Sequence, residues 1–154
     1  MMIDQQPKPG DAVYEHFFEH GEVRPDYRKE YISLWSGWLG KERLHLLDEV
    51  TEDEWLRFNQ MLLAAFEHFR MGMVNHVAET VEFPAQLEPL LNAYGEYMQK
   101  DASRFFQFAI PELDCLITED WDFTYILWHR NTGALEAIEP LLTKARLSHF
   151  SNEP

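Results

Sequence analysis

Along the first two-thirds of the chain, apolar residues recur mostly at three- and four-residue spacings, the signature of buried helical stripes. Gly10-Asp11 opens a short helix carrying Val13, Phe17 and Phe18, with Gly21 as its stop. Arg24-Pro25-Asp26 then opens a second helix, in which Tyr27, Tyr31, Leu34, Trp35 and Trp38 fall on one side. Residues 41–50 read as another short helix with Leu44 and Leu47 inward. Thr51-Glu52-Asp53-Glu54 is a capping box, a hydroxyl followed three residues later by Glu, and it starts the longest helix. Trp55, Phe58, Leu62, Ala65, Phe69 and Met73 step along that helix, which the spacing carries to about Thr80. Phe83-Pro84 breaks it and begins the next, whose inner face holds Leu87, Leu90, Leu91, Tyr94, Tyr97 and Met98. Asp101 or Ser103 caps one more short turn bearing Phe105, Phe106 and Phe108.

The pattern changes after Ala109-Ile110-Pro111. Residues 113–118 and 123–129 are two short runs rich in Ile, Thr, Tyr, Trp and Leu. The polar tetrapeptide Glu119-Asp120-Trp121-Asp122 separates them, so they read as a β-hairpin with a four-residue loop. Residues 134–145 read as a helix that Pro140 either shortens or bends. Residues 147–150 suit a third strand. The resulting fold class is α+β: a mainly helical N-terminal two-thirds, followed by a small antiparallel β-hairpin or sheet with a helix. Residues 1–10 are expected as a flexible N-terminal arm and residues 11–154 as a single α+β domain.

Composition limits the functions this fold can serve. The 154 residues hold 13 Lys+Arg against 27 Asp+Glu, a formal charge of −14. The acid excess is not a tail: residues 1–75 carry 8 basic and 14 acidic groups, and the remainder 5 and 13. With 45% hydrophobic residues the chain has the content of a globular core, not of an acidic disordered segment. Such a charge opposes wrapping of nucleic-acid phosphates and docking on anionic lipid, and favours encounter with a basic protein. The single cysteine, Cys115, excludes an internal disulfide and sits in an apolar run, where free Cys behaves as a small buried hydrophobe. No export signal or membrane-length apolar run is present, so the expected compartment is the cytoplasm.

Two local patterns are chemical candidates. His16-Phe17-Phe18-Glu19-His20 fits H-x-x-E-H, which on a helix places two His four residues apart with a Glu as base. It supports the alternative of a small enzyme with a dispersed metal or acid/base site built on His16, Glu19 and His20. Competing with it is a plain amphipathic helix, since the intervening residues are two large Phe. His68 and His76 lack a Glu three residues before them, so the long helix carries no di-metal bundle motif at those positions. The second pattern is Glu119, Asp120 and Asp122 around Trp121, the densest acidic cluster. It reads either as a solvated turn or as a partner-binding tip, an aromatic anchor in a charged rim. Trp35 and Trp38, among Ser33, Ser36, Gly37 and Gly40, form the other aromatic concentration and read as core. No phosphate loop, dinucleotide fingerprint or nucleophile elbow occurs, and no cofactor or resident metal is expected.

The segment 111–125, Pro-Glu-Leu-Asp-Cys-Leu-Ile-Thr-Glu-Asp-Trp-Asp-Phe-Thr-Tyr, together with the size, charge and hairpin-plus-helix ending, resembles small acidic bacterial immunity proteins of polymorphic toxin systems. The resemblance is general and carries no functional residue across. It implies a protein that binds and inhibits a toxin, with a negative face occluding a basic active-site cleft. The expected function is therefore a cytoplasmic protein-binding module with a basic protein partner, and Glu119, Asp120, Trp121 and Asp122 are the expected contacts. A nucleic-acid-mimicking inhibitor is the remaining alternative; it requires the charge to form a regular stripe.

Overall fold

The structure, a computed structural model, describes residues 11–99 and 105–152. The expected arm at residues 1–10 and the caps at Asp101 and Ser103 lie outside the described residues. The chain begins with α1 (Asp11–Phe17), followed by a two-stranded hairpin of β1 (Phe18–Glu19) and β2 (Glu22–Val23). Then come β3 (Arg28–Ser33), α2 (Gly40–Arg43), a 3-10 stretch over Leu44–Glu49 and the long α3 (Glu52–His68). After α3 run β4 (Gly72–Asn75), β5 (Thr80–Glu82), α4 (Tyr94–Gln99) and β6 (Gln107–Ile110). The chain closes with β7 (Cys115–Asp120), β8 (Thr124–His129), α5 (Thr132–Lys144) and β9 (Ser148–Phe150). Seven of the strands make one antiparallel sheet in the order β5-β4-β6-β7-β8-β3-β9.

The fold is α+β, but the expected division into a helical two-thirds and a small terminal sheet is wrong. The N-terminal two-thirds supplies β3, β4 and β5, and β6 follows directly. Three local causes account for the difference. In β3 the inward positions are Glu30 and Ile32, and a buried Glu hides the period of two behind the aromatic spacing of Tyr27, Tyr31 and Trp35. Glu30 is tolerated there because its carboxylate accepts a hydrogen bond from His149 Nδ1 at 2.5 Å. The long helix stops at His68: Phe69 is extended, and the Arg70 N–H turns to the Glu112 carboxylate at 2.7 Å. Val77, within the span that the spacing gave to this helix, is 99% exposed beyond β4. In β6, Phe108 and Ile110 face one side and Ala109 the other, so the Phe-rich turn is a strand.

The elements after Pro111 agree more closely with expectation. β7 and β8 form the hairpin, but Asp120 pairs with Thr124, leaving a three-residue loop. The helix α5 begins earlier than expected, with Asn131 accepting the Ala134 N–H, and continues through Pro140. Pro140 is exposed, and lacking an N–H it gives the Glu136 carbonyl no helical donor. The expected third strand is β9, although its partner is β3, not the hairpin.

Strand alternation divides the core into two layers. Cys115 and Ile117 join Trp55, Phe58, Met61, Leu62 and Ala65 of α3 and Ala134, Ile138, Leu141 and Leu142 of α5 on one face. Leu116, between them, joins Tyr14 and Phe17 of α1, with Phe18, Tyr27, Val81 and Ala109, on the other. At β4–β5 the approach is close: a Cβ on Gly72 would lie 2.5 Å from Val81 Cγ1 and 2.9 Å from Phe83 Cε1. Gly72→Ala is therefore expected to cost about 1–3 kcal/mol through forced repacking. A lowered thermal midpoint would be the sign of it; wild-type stability would mean that the strands separate freely here.

Candidate functional site

The structure separates the H-x-x-E-H residues. α1 ends at Phe17, and His20-Gly21, both at positive φ (55° and 78°), form the turn between β1 and β2. Glu19 faces Arg24 at 3.3 Å and the exposed His20 at 3.7 Å, while His16 points elsewhere. Among the described residues no three of His, Cys, Asp and Glu converge as metal ligands. The helical spacing that would have put both imidazoles on one face is absent, and with it the metal geometry that the enzyme alternative requires.

His16 belongs instead to a clamp around Asp114, which caps a short 3-10 turn in the left-handed conformation (φ 51°). Arg130 grips Asp114 with Nε on Oδ2 and Nη2 on Oδ1, both at 3.0 Å, and extends Nη1 to Asp26 at 2.8 Å. The Tyr27 hydroxyl donates to Asp114 Oδ1 at 2.6 Å, and the guanidinium lies 4.4 Å over the Tyr27 ring. His16 Nε2 is 2.7 Å from Asp114 Oδ1 and 2.9 Å from Arg130 Nη2. Nε2 can donate to Asp114 only as N–H and can accept from Arg130, which has no acceptor, only through a lone pair, so it serves one of the two in each tautomer. Burial pushes the Asp114 carboxyl up, but hydrogen bonds from Arg130, Tyr27 and His16 outweigh it and hold it below its ordinary value. Tyr27 moves the other way, held protonated by burial and by its bond to Asp114. Cys115, next in sequence, is fully buried, and burial lifts its thiol to about 12, so it offers no thiolate nucleophile.

The β7–β8 tip is the other candidate. Glu119 is 7% exposed and accepts the Phe106 N–H at 2.9 Å, so its carboxylate fastens the start of β6 and is not presented at the surface. Trp121, Asp122 and Phe123 form the loop, the last two at φ 58° and 55°. This conformation is unusual for Phe, and here it turns Phe123 into the core against Tyr97, ring centres 5.5 Å apart. It also leaves Trp121 57% exposed, resting edge-on against Phe105 at 4.8 Å.

Asp120, Trp121 and Asp122 line a cavity of about 490 Å³ whose opposite wall is the segment after β3. Trp35, Trp38, Leu39, Leu44 and Leu47 form that wall, and the last β3–β8 pair, Ser33 and Thr124, also lines the space. The second aromatic concentration of the sequence thus faces the acidic tip. Trp38 is 54% exposed and Leu44, expected inward, is also 54% exposed. Trp38 is fixed edge-to-face on Tyr31 (4.7 Å) and Phe150 (4.9 Å), and its Nε1 donates to Asn152 at 2.5 Å. No ion pair occupies Asp120 or Asp122 among the described residues. Trp38 and Leu44 were the residues a sequence reading missed: their spacing is that of core positions, and only the pairing of β3 with β8 turns them toward the tip.

The clamp generates a pH prediction. A carboxyl held below its unfolded value contributes stability in full above the unfolded range, and that contribution is lost as pH falls through the folded value. Asp114→Asn should cost about 1–3 kcal/mol near neutrality by weakening charged hydrogen bonds. Below pH about 4 the gap to wild type should narrow. Denaturant titrations at several pH values check this, and a gap that stays constant into acid would deny Asp114 the role. No helix among the described residues is long and apolar enough to cross a membrane. No family model, no curated protein and no solved structure compared with the chain matches it.

Proposed function

We propose that this protein is a binding module without catalysis of its own, an immunity protein that neutralises a basic toxin in the cytoplasm by occluding its active site. The observation that carries this reading is the cavity at the hairpin tip, where exposed Trp38, Leu44 and Trp121 stand beside Asp120 and Asp122. Aromatic and aliphatic anchors within a charged rim have the anatomy of a protein interface. The net charge of −14 supplies the long-range attraction, steering a basic partner to the surface before short-range contacts form. Carboxylates at the tip then occupy the place of the anions a basic cleft binds, and the indoles hold the complex once formed. Glu119 is not part of this contact; its role is to hold β6 against β7 behind the tip.

Immobilised protein should retain a basic protein from lysate of the source cells, toxic when expressed alone and harmless when coexpressed with this chain. Against the purified partner, the double variant Asp120→Lys/Asp122→Lys should lose about ten-fold or more in affinity, mostly as slower association with a flatter salt dependence. Trp121→Ala should act on dissociation instead, at about 2 kcal/mol. Both changes leave buried residues alone, so thermal midpoints should stay near wild type. Surface plasmon resonance at several ionic strengths separates the two effects, and unchanged kinetics in both variants would remove the tip from the interface.

A further inference from the structure

Resting on that reading, we infer that the cavity at the β7–β8 tip is an arginine receptor: it takes one guanidinium side chain of the partner between its indoles and its two carboxylates. The lining has two chemistries at once. Trp35, Trp38, Leu39, Leu44, Leu47 and Trp121 suit an aliphatic stem or a flat cation, whereas Asp120 and Asp122 call for a donor. An apolar side chain would satisfy the first set and leave the carboxylates without a donor. Arginine satisfies both, because its methylenes pack on apolar walls, its plane stacks on indole, and its fork matches a carboxylate. Among the described lining residues Lys41 is the one cation against two carboxylates, so the lining is net negative before a ligand arrives.

The protein already builds this arrangement with its own residues. Arg130 lies over the Tyr27 ring and spans the carboxylates of Asp114 and Asp26. Arg70 lies 3.7 Å over the Phe83 ring. At the tip aromatic residues and two carboxylate residues again line one space, and no guanidinium of the described residues lines it. Edge contacts with Phe105, and with Tyr31 and Phe150, fix Trp121 and Trp38, so the receptor is preorganised and little side-chain freedom is lost on binding.

The test uses the full chain and capped pentapeptides of the form Gly-Gly-X-Gly-Gly, where X is arginine, lysine, citrulline or norleucine, followed through the indole N–H signals of the tryptophans by NMR. Arginine should give saturable shifts at Trp35, Trp38 and Trp121. Citrulline, the neutral isostere, and norleucine should bind about ten-fold more weakly or not at all. Asp120→Asn/Asp122→Asn and Trp121→Ala should each weaken arginine binding, and Trp121→Phe should restore part of it, with thermal midpoints unchanged. Citrulline or norleucine binding as tightly as arginine would overturn the inference in favour of an apolar occupant, and so would the absence of arginine-dependent shifts. Preference for lysine over arginine would replace a guanidinium receptor by an ammonium one and overturn it equally. If the peptide fails while Asp120→Lys/Asp122→Lys still disrupts the toxin complex, only the receptor falls; if that variant leaves the complex intact, the tip is not the interface at all.

Discussion

β3 lies antiparallel between β8, which it meets along six residue pairs from Arg28↔His129 to Ser33↔Thr124, and β9, which it meets along three. An early segment of the chain is thus held within the strands of its last part, and much else follows from that placement. Tyr27, just before β3, is brought to Asp114 beside the start of β7; the segment just after β3 is brought over the β7–β8 tip. Glu30 is carried inward and meets His149 of β9, whose other nitrogen reaches Glu139 of α5 at 3.2 Å. A single register therefore sets the acidic clamp, the cavity and the attachment of the last strand. A slip of one residue would turn Ile32 away from the helices and Tyr31 into them.

Charge is used differently at the two ends of this sheet. Around Asp114, carboxylates and cations satisfy each other, and the guanidinium of Arg130, just after β8, joins residues from α1, the β2–β3 connection and the turn before β7 into one fixture. At the tip, Asp120 and Asp122 have no ion pair among the described residues and stand beside exposed indoles. The first arrangement consumes its hydrogen-bonding capacity in holding the fold; in the proposed reading the second offers that capacity to a partner. The same residue types thus serve structure around Asp114 and, in the proposed reading, recognition at the tip.

Much of the second half was legible because its signals are local. The β7–β8 runs carry β-branched and aromatic residues around a polar turn, and Asn131 caps α5 directly. The Thr51–Glu54 capping box was equally legible, with both reciprocal bonds formed. β3, β4, β5 and β6 were not, because each is short or carries a misleading residue on its buried side. Glu30 occupies a core position in β3; Gly72 begins β4 for reasons of space, not propensity; and β6 is four residues set by its neighbours. At the site, the sequence pointed to Asp120, Trp121 and Asp122 but also to Glu119, since alternation about the turn could not be phased before the loop length was known. His16 was identified as chemically interesting for the wrong partners, because Asp114 and Arg130 lie far from it along the chain.

The cavity has no wall that belongs to one local element. Its indoles come from the chain after β3 and from the β7–β8 turn, and they face each other only once residues 28–33 have joined residues 124–129. Closing so long a loop is the slow, entropically costly part of folding for a sheet of this topology. A hairpin and helix formed alone would expose an acidic turn but not the opposing tryptophans, so the proposed recognition would require the paired sheet. In the proposed reading, a partner held at this site would favour chains in which β3 has joined β8, and would add its binding energy to that pairing.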